Sequence, residues 1–323
     1  MVPKLSIIIP CFNCEITLQE AVDSCFLQGF SVDEFEIVMV DDKSTDKTFE
    51  VMESLARKHN NIRLYQHKKN LGGGAARNTA VKKTNSEFIF CLDSDDLLPP
   101  NTLNGMLVYL KEKKSDAVTF NTSINFISNN VENISHTVTM AKPGEQIVFT
   151  DLFQTPEAMC SLYQVFMLTK DAFKKAGGYP TEHSFDTQGF AWRFISSGLV
   201  AYTCPNSTYL LRVQFKESYY LREYNNGKSN FNWQRIFLEH FQFFSDETQT
   251  FIKNFDCQDF TRDIFSETMD MPKYLRNNYQ ELIGKPVTHD KVFISTKKPL
   301  GRNSLCGYYL RIKKRIFNLS KKL

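Results

Sequence analysis

The chain has 323 residues, 42% of them hydrophobic and 23% charged, and a formal net charge of +3 at pH 7. That length allows one large domain, or one domain with a small helical extension. No apolar run approaches a membrane span, no signal-peptide pattern opens the chain, and no internal repeat or low-complexity linker interrupts it, so a membrane-spanning, exported or repeat protein is not expected.

Leu5-Ser6-Ile7-Ile8-Ile9 reads as a strand ending at Pro10. After Cys11-Phe12-Asn13 a helix is expected, with Thr17 and Glu20 spaced as a capping box and Leu18, Ala21, Val22, Cys25 and Phe26 on one face. Gly29 is placed to stop it. A second strand-helix unit follows: Phe35-Glu36-Ile37-Val38-Met39-Val40, then Asp41-Asp42-Lys43-Ser44-Thr45-Asp46-Lys47-Thr48, then a helix carrying Phe49, Met52, Leu55 and Ala56. Strands alternating with amphipathic helices predict an α/β fold with a mostly parallel sheet, whose ligands bind beyond the carboxyl ends of the strands.

The segment from Asn70 to Asp96 carries the most information. A glycine-rich turn, Gly72-Gly73-Gly74, leads to the apolar run Glu87-Phe88-Ile89-Phe90-Cys91-Leu92, which suits a strand covered on both faces. Asp93, Ser94, Asp95 and Asp96 then crowd carboxylates onto its end. Such crowding persists most easily around a positive charge. Asp93 and Asp95 are two apart and, in an extended segment, project to one face as two oxygen ligands. Mg²⁺ or Mn²⁺ held by one or two carboxylates completes its shell with water and substrate phosphates, so the expected substrate is a nucleotide diphosphate. Asn13, Asp41, Asp42, Gly72 to Gly74, Asp93 and Asp95 should share the rim. The bland alternatives are a turn before Pro99-Pro100 and the helix of Leu103, Met106, Leu107 and Leu110, a flexible glycine turn, and helix capping by Ser44 or Asp46.

SIIIPCFN, VMVDDKSTDKT, NLGGGAARNTA and FIFCLDSDD, in this order and spacing, resemble the family-2 glycosyltransferases of GT-A fold over roughly the first hundred residues. The resemblance implies a Rossmann-like sheet flanked by helices and a nucleotide-sugar donor, most often a UDP-sugar. It places Pro10, Phe12 and Asn13 in the nucleoside pocket and Asp41 or Asp42 on the uracil ring. Arg77 and the glycine turn, with Asn70, Gly72 and Gly73, would lie by the diphosphate. Asp93 and Ser94 would lie near the ribose and metal, Asp93 and Asp95 being the metal ligands and Asp95 the principal one. Thr169 to Tyr179 is similar to the segment preceding the family's catalytic base, which makes Asp186 the candidate base. Phe185 stands where an acid is common, and the spacing to Arg193 is about one residue long. Glu182 and Asp171 compete for the role. Tyr209 to Gln214 resembles the family's Arg-x-His segment with Gln214 in place of His, and His183 is a conceivable substitute. The activity so implied is metal-dependent, inverting transfer of a sugar to a hydroxyl of a glycan or lipid-linked acceptor, in surface polysaccharide or glycoconjugate assembly. A nucleotidyltransferase and a silent sugar-nucleotide binder are the competing classes.

The expected division is a GT-A domain over 1–225, with a donor half at 1–115 and an acceptor and base half at 116–225, followed by a helical region over 226–323. The acceptor half should hold a strand at Asp116 to Asn125. Trp233, Ile236, Phe237, His240, Phe241 and Phe244 recur at helical spacing and read as core. Eight scattered cysteines look like small core residues, and the lone Cys11-x-x-Cys14 pair makes a zinc site improbable, so a reducing cytosol is expected. From Lys291 to Leu323 there are ten Lys/Arg and no Asp or Glu. Leu305, Tyr308, Tyr309, Ile312, Ile316, Leu319 and Leu323 make this a basic amphipathic helix, fit for peripheral contact with an anionic membrane through residues 302–323 or for packing on the domain. Nucleic acid is not an expected partner, because the rim is acidic.

Overall fold

The computed structural model describes residues 2–127, 134–139, 143–148, 166–213, 227–259 and 261–268. They fall into two compact units, one within Met1–Ile147 and Cys160–Tyr220 and the other within Val148–Met159 and Leu221–Leu323. The expected boundary at 225/226, Gln214 and the basic tail at 302–323 lie outside the described residues.

The first unit opens with β1 (Leu5–Cys11), α1 (Leu18–Cys25), β2 (Phe35–Asp41) and α2 (Thr48–Lys58). Every residue of β2 is buried, and all of β1 except Pro10, as parallel strands covered on both faces require. Next come β3 (Ile62–Gln66), α3 (Gly73–Lys83), β4 (Phe88–Cys91), α4 (Thr102–Lys113) and β5 (Ala117–Ile127). Two short antiparallel strands, β6 (Ile134–Thr139) and β7 (Gln146–Ile147), precede β8 (Phe166–Thr169), α5 (Lys170–Lys175), α6 (Asp186–Ser196) and β9 (Ala201–Val213). The sheet order is β3-β2-β1-β4-β8-β5-β9-β7, with β6 beside β5. β3, β2, β1 and β4 are parallel, as are β5 and β9, while β8 runs antiparallel between β4 and β5.

The strand order reverses at β1, where successive connections leave to β2 on one side and β4 on the other. Such a switch point opens a crevice beyond the carboxyl ends. Backbone chemistry opens it further. β1 pairs with β4 only from Ser6 to Ile8, whereas it pairs with β2 as far as Cys11. Pro10, which has no N–H to offer, falls just past the last β4 rung, so it forfeits no ladder bond there.

The expected capping box does not form. Thr17 already has helical backbone angles and its side chain makes no cap bond, because the turn begins earlier, with the Thr17 and Leu18 amides both donating to the Cys14 carbonyl. The exposed amides ahead of α1 are capped from the next unit instead. Cys14 N–H donates to Thr48 Oγ1 at 2.7 Å and Glu15 N–H to Asp46 Oδ2 at 3.2 Å. In return, Thr45 N–H donates to Asn13 Oδ1 at 2.8 Å and Lys47 N–H to Glu15 Oε2 at 2.9 Å. The loops after β1 and β2 thus cap each other, which fixes half of the rim.

The second unit contains α7 (Lys228–Glu239), α8 (Asp246–Asn254) and α9 (Ile264–Glu267). Trp233, Ile236, Phe237, Phe241 and Phe244 are buried, with Trp233 and Phe237 stacked at 5.7 Å and Phe265 4.6 Å from Trp233. The aromatic face is core, as its spacing predicts.

Candidate active site

Four strand ends and two helix starts supply the crevice. After β1, Phe12 (46% exposed) and Asn13 face outward, while Pro10 stays within the strand. After β2, Asp41 and Asp42 are buried and bonded inside the protein. Asp41 accepts from Ser44 Oγ at 2.5 Å and Gln66 Nε2 at 2.8 Å. Asp42 pairs with His67 Nδ1 at 2.7 Å and accepts from the Leu71 and Gly72 amides at 2.9 and 2.7 Å. These two carboxylates therefore shape the loops, Asp42 by pinning the approach to the glycine triplet. His67 was not expected at the site; its other nitrogen meets Thr79 Oγ1 at 2.9 Å. Asn70 is exposed at the lip.

The triplet begins a helix rather than forming a flexible turn: Gly73 and Gly74 are the first residues of α3. Gly74 is required by a close approach, since a Cβ there would lie 2.2 Å from the Pro180 carbonyl oxygen. At Gly73 a Cβ would meet Arg77 Nη1 at 2.8 Å and Asp186 Oδ2 at 3.0 Å, so its bare backbone leaves room for that pair. One turn on, buried Arg77 donates through Nη1 to Asp186 Oδ2 at 2.5 Å and through Nη2 to Asp93 Oδ1 at 2.6 Å. One guanidinium thus joins the two expected functional carboxylates, 93 residues apart in sequence. Burial opposes the Arg77 charge, but Asp186 and Asp93 outweigh it and raise its pKa. Burial raises the Asp186 carboxyl in spite of Arg77.

Asp186 opens α6, and its rivals sit elsewhere. Asp171 is an exposed α5 residue paired with Lys175 at 2.9 Å, and exposed Glu182 reaches Arg193 at 3.8 Å. His183 packs on Gly189. Phe185, where the resemblance leads one to expect an acid, is buried core.

The Asp93–Asp96 segment is a turn, with Asp96 N–H donating to the Asp93 carbonyl at 3.1 Å, and not the extended stretch expected. Ser94, next to the Cys14 thiol, helps lower its pKa, after the larger effect of Cys11. The carboxyl of Asp95 is pushed up to about 6 by burial and then by the charge of Asp93. Asp96 is buried and raised well above the carboxylate range, first by burial and then by Asp95 and Asp93. Its oxygens accept from Tyr209 Oη at 2.7 Å and Arg212 N–H at 2.8 Å, both on β9. Sequence reading missed this anchorage, because nothing local links Asp96 to residues 113 and 116 positions away.

Among the described residues no three His, Cys, Asp or Glu side chains converge as a metal cage. Asp93 and Asp95, the latter raised by burial and by the charge of Asp93, are nevertheless a donor set suited to Mg²⁺ or Mn²⁺ completed by substrate phosphates. Cys11 and Cys14 are free thiols, both buried, and Cys11 is raised well above its usual range by burial.

A parallel half-sheet ending in an Asp-x-Asp turn, extended by antiparallel β8 and the long β5–β9 pair, defines a GT-A transferase fold. The family model for glycosyl transferase family 2 matches residues 6–175, and the chain belongs to that family. It is 37% identical over 114 residues to a poly(ribitol-phosphate) beta-glucosyltransferase of Bacillus spizizenii, covering 35% of this chain and 18% of that protein. It is 38% identical over 116 residues to the poly(ribitol-phosphate) beta-N-acetylglucosaminyltransferase TarS of Staphylococcus aureus, covering 36% and 20%. The alignments thus span about a fifth of the length of these relatives. The fold is similar to S. aureus TarS 1-349 solved with UDP-GlcNAc (TM-score 0.58, 21% identity, 87% of this chain and 76% of that one). It also resembles the mannosyltransferase PcManGT of Pyrobaculum calidifontis solved with GDP-Man and Mn²⁺ (TM-score 0.56, 18% identity, 99% and 81%).

Proposed function

We propose that this protein transfers a hexosyl or N-acetylhexosaminyl group from a nucleotide sugar, a UDP-sugar in our reading, to a hydroxyl of a glycan or polyol-phosphate acceptor, with inversion at the anomeric carbon. The observation that carries the reading is the convergence of Asp186 on Asp93 through Arg77. Curated relatives act on poly(ribitol-phosphate), and a neighbour in fold binds UDP-GlcNAc, which supports the donor and acceptor classes.

In this reading Phe12 and Asn13 receive the nucleoside, and the start of α3 with Arg77 receives the diphosphate. Asp93 and Asp95 would hold the divalent cation. When bound, the cation neutralises charge on the departing diphosphate. Asp186 accepts the proton of the acceptor hydroxyl while its oxygen bonds the anomeric carbon and the sugar–diphosphate bond breaks, through a transition state of oxocarbenium character. Residues 1–115 serve the donor and residues 116–225 the acceptor, with residues 302–323 resting on an anionic membrane face. Among the described residues no helix is long and apolar enough to cross a membrane.

The Arg77–Asp186 bridge also favours a second reading, a sugar-nucleotide binder without turnover, since an Asp186 oxygen that would take the acceptor proton is already held by a buried guanidinium. Nucleotide release decides. The protein is given UDP-, GDP-, TDP- and CMP-sugars with Mn²⁺, Mg²⁺ or chelator, and a poly(ribitol phosphate) or glycan acceptor. Metal-dependent release of UDP with sugar on the acceptor is the expected result. Donor binding with no release on any acceptor establishes the silent reading, and pyrophosphate release would indicate nucleotidyl transfer.

A further inference from the structure

The rim aspartates hang from one turn, and that turn is tied to a strand more than a hundred residues later in the chain. Arg212 on β9 has a side chain only 2% exposed and, among the described residues, hydrogen-bonds the turn and α1. Its backbone N–H donates to Asp96 Oδ1 at 2.8 Å, its Nε to the Asp95 carbonyl at 2.7 Å, and its Nη2 to Glu20 Oε2 of α1 at 2.5 Å. The guanidinium lies 4.7 Å from the centre of the Phe126 ring. Tyr209 Oη donates to the other oxygen of Asp96 at 2.7 Å, and Leu97 and Leu210 exchange two backbone hydrogen bonds at 3.0 and 3.1 Å.

Two consequences follow from this bonding. Asp96 has both oxygens committed to β9, so it serves as a tether for the turn that carries Asp93 and Asp95. The Asp95 peptide, whose carbonyl is fixed by Arg212, has its plane set by a planar fork whose far end is held by Glu20. A buried guanidinium is costly to desolvate and persists only where its hydrogen bonds are satisfied with good geometry. Among the described residues two of them go to the backbone of the turn and to α1.

We infer that Arg212, with Tyr209 and Glu20, is a positioning residue that orients the Asp95 carboxylate for a divalent cation, coupling the last strand of the sheet to the donor end. This inference rests on the reading of Asp93 and Asp95 as the metal pair. Outer partners that orient ligands typically change metal affinity by 10- to 100-fold when removed. Arg212→Lys keeps the charge but loses the fork, so it cannot hold the Asp95 carbonyl and Glu20 together. Tyr209→Phe removes one hydroxyl and frees one Asp96 oxygen.

The test is calorimetric titration of Mn²⁺ into the full chain with saturating UDP, for the parent, Arg212→Lys, Tyr209→Phe and Asp95→Ala, with thermal unfolding of each metal-free protein alongside. Expected is a rise of about tenfold or more in the Mn²⁺ dissociation constant for Arg212→Lys and a smaller rise for Tyr209→Phe. These rises should not follow the order of the unfolding temperatures. Parent affinity in both variants overturns the inference, as does a loss that tracks unfolding temperature. If Arg212→Lys does not fold, Tyr209→Phe alone decides, on the same two criteria. If the parent binds no Mn²⁺, or Asp95→Ala binds it equally, the metal-pair reading itself fails and takes this inference with it.

Discussion

The same substitution in two helices of this protein should have opposite signs. Gly105 lies exposed in α4, with nothing within 4 Å of where a Cβ would stand. Gly105→Ala restricts the unfolded chain without straining the folded one and should stabilise by about 0.5–1 kcal/mol. At Gly74 the new Cβ would stand 2.2 Å from the Pro180 carbonyl oxygen and 3.1 Å from Asp186 Cβ. A carbon and an oxygen need somewhat over 3 Å, so backbone must retreat by about 1 Å, and no rotamer can relieve it. Overpacking of this kind costs about 1–3 kcal/mol, which matches or exceeds the gain of about 1 kcal/mol in helix propensity. At about 2–4 °C per kcal/mol, Gly105→Ala should raise Tm by about 1–4 °C, and Gly74→Ala should leave it level or lower it by several degrees. The displaced segment leads directly into Asp186, and a 1 Å misplacement at a catalytic group corresponds to about 10²-fold in rate. Circular dichroism melts and a sugar-transfer assay read both effects. A Gly74→Ala protein that gains as much Tm as Gly105→Ala and turns over normally would refute the close approach of α3 to Pro180.

Asp186→Asn should lower turnover by about 10²- to 10⁴-fold while UDP binding persists, and retained turnover would remove Asp186 from the mechanism. Asp95→Ala should abolish the Mn²⁺ enhancement of UDP binding, measured by titration with and without chelator; an unchanged enhancement would sink the metal pair. Because the Asp95 carboxyl is pushed up to about 6 and only its ionised form ligates, Mn²⁺ affinity should be level above about pH 7 and fall by about tenfold per pH unit below 6. A flat profile from pH 5 to 7 would contradict that ligation. Deleting residues 302–323 should release the protein from anionic liposomes in co-sedimentation, and equal binding of both forms would dismiss the membrane role of the tail.

The parallel half of the sheet was legible because its strands are short apolar runs between glycine and aspartate punctuation, as at Ile7 to Ile9 and Ile37 to Val40. β3 was not legible: Ile62-Arg63-Leu64-Tyr65-Gln66 is an edge strand, half-buried and interrupted by a charge, so it lacks that signature. α3 was hidden by its own composition, since a start in three glycines followed by small and polar residues shows little amphipathic contrast. The rim aspartates could be listed from sequence, but their division of labour could not. Asp41 and Asp42 turn inward to their loops, Asp96 is a tether, and Asp93 is shared with Arg77, all through partners distant in the chain. The capping box failed because the turn starts at Cys14, and Glu20 is spent on Arg212 instead, 192 residues away in the chain.

The early end of the β1–β4 pairing bears on how readily this protein can change its donor. The gap beyond Ile8 is created by strand length and by a proline, both backbone properties, whereas the side chains of Phe12 and Leu71 on the neighbouring loops are exposed and contribute little to the core. Scaffold and selectivity are therefore separable. Substitutions at Phe12 and Leu71 should cost little in folding, whereas changes at Asn13, which caps the loop after β2, or at Asp41, Asp42 or Arg77 would dismantle the frame that holds the crevice open.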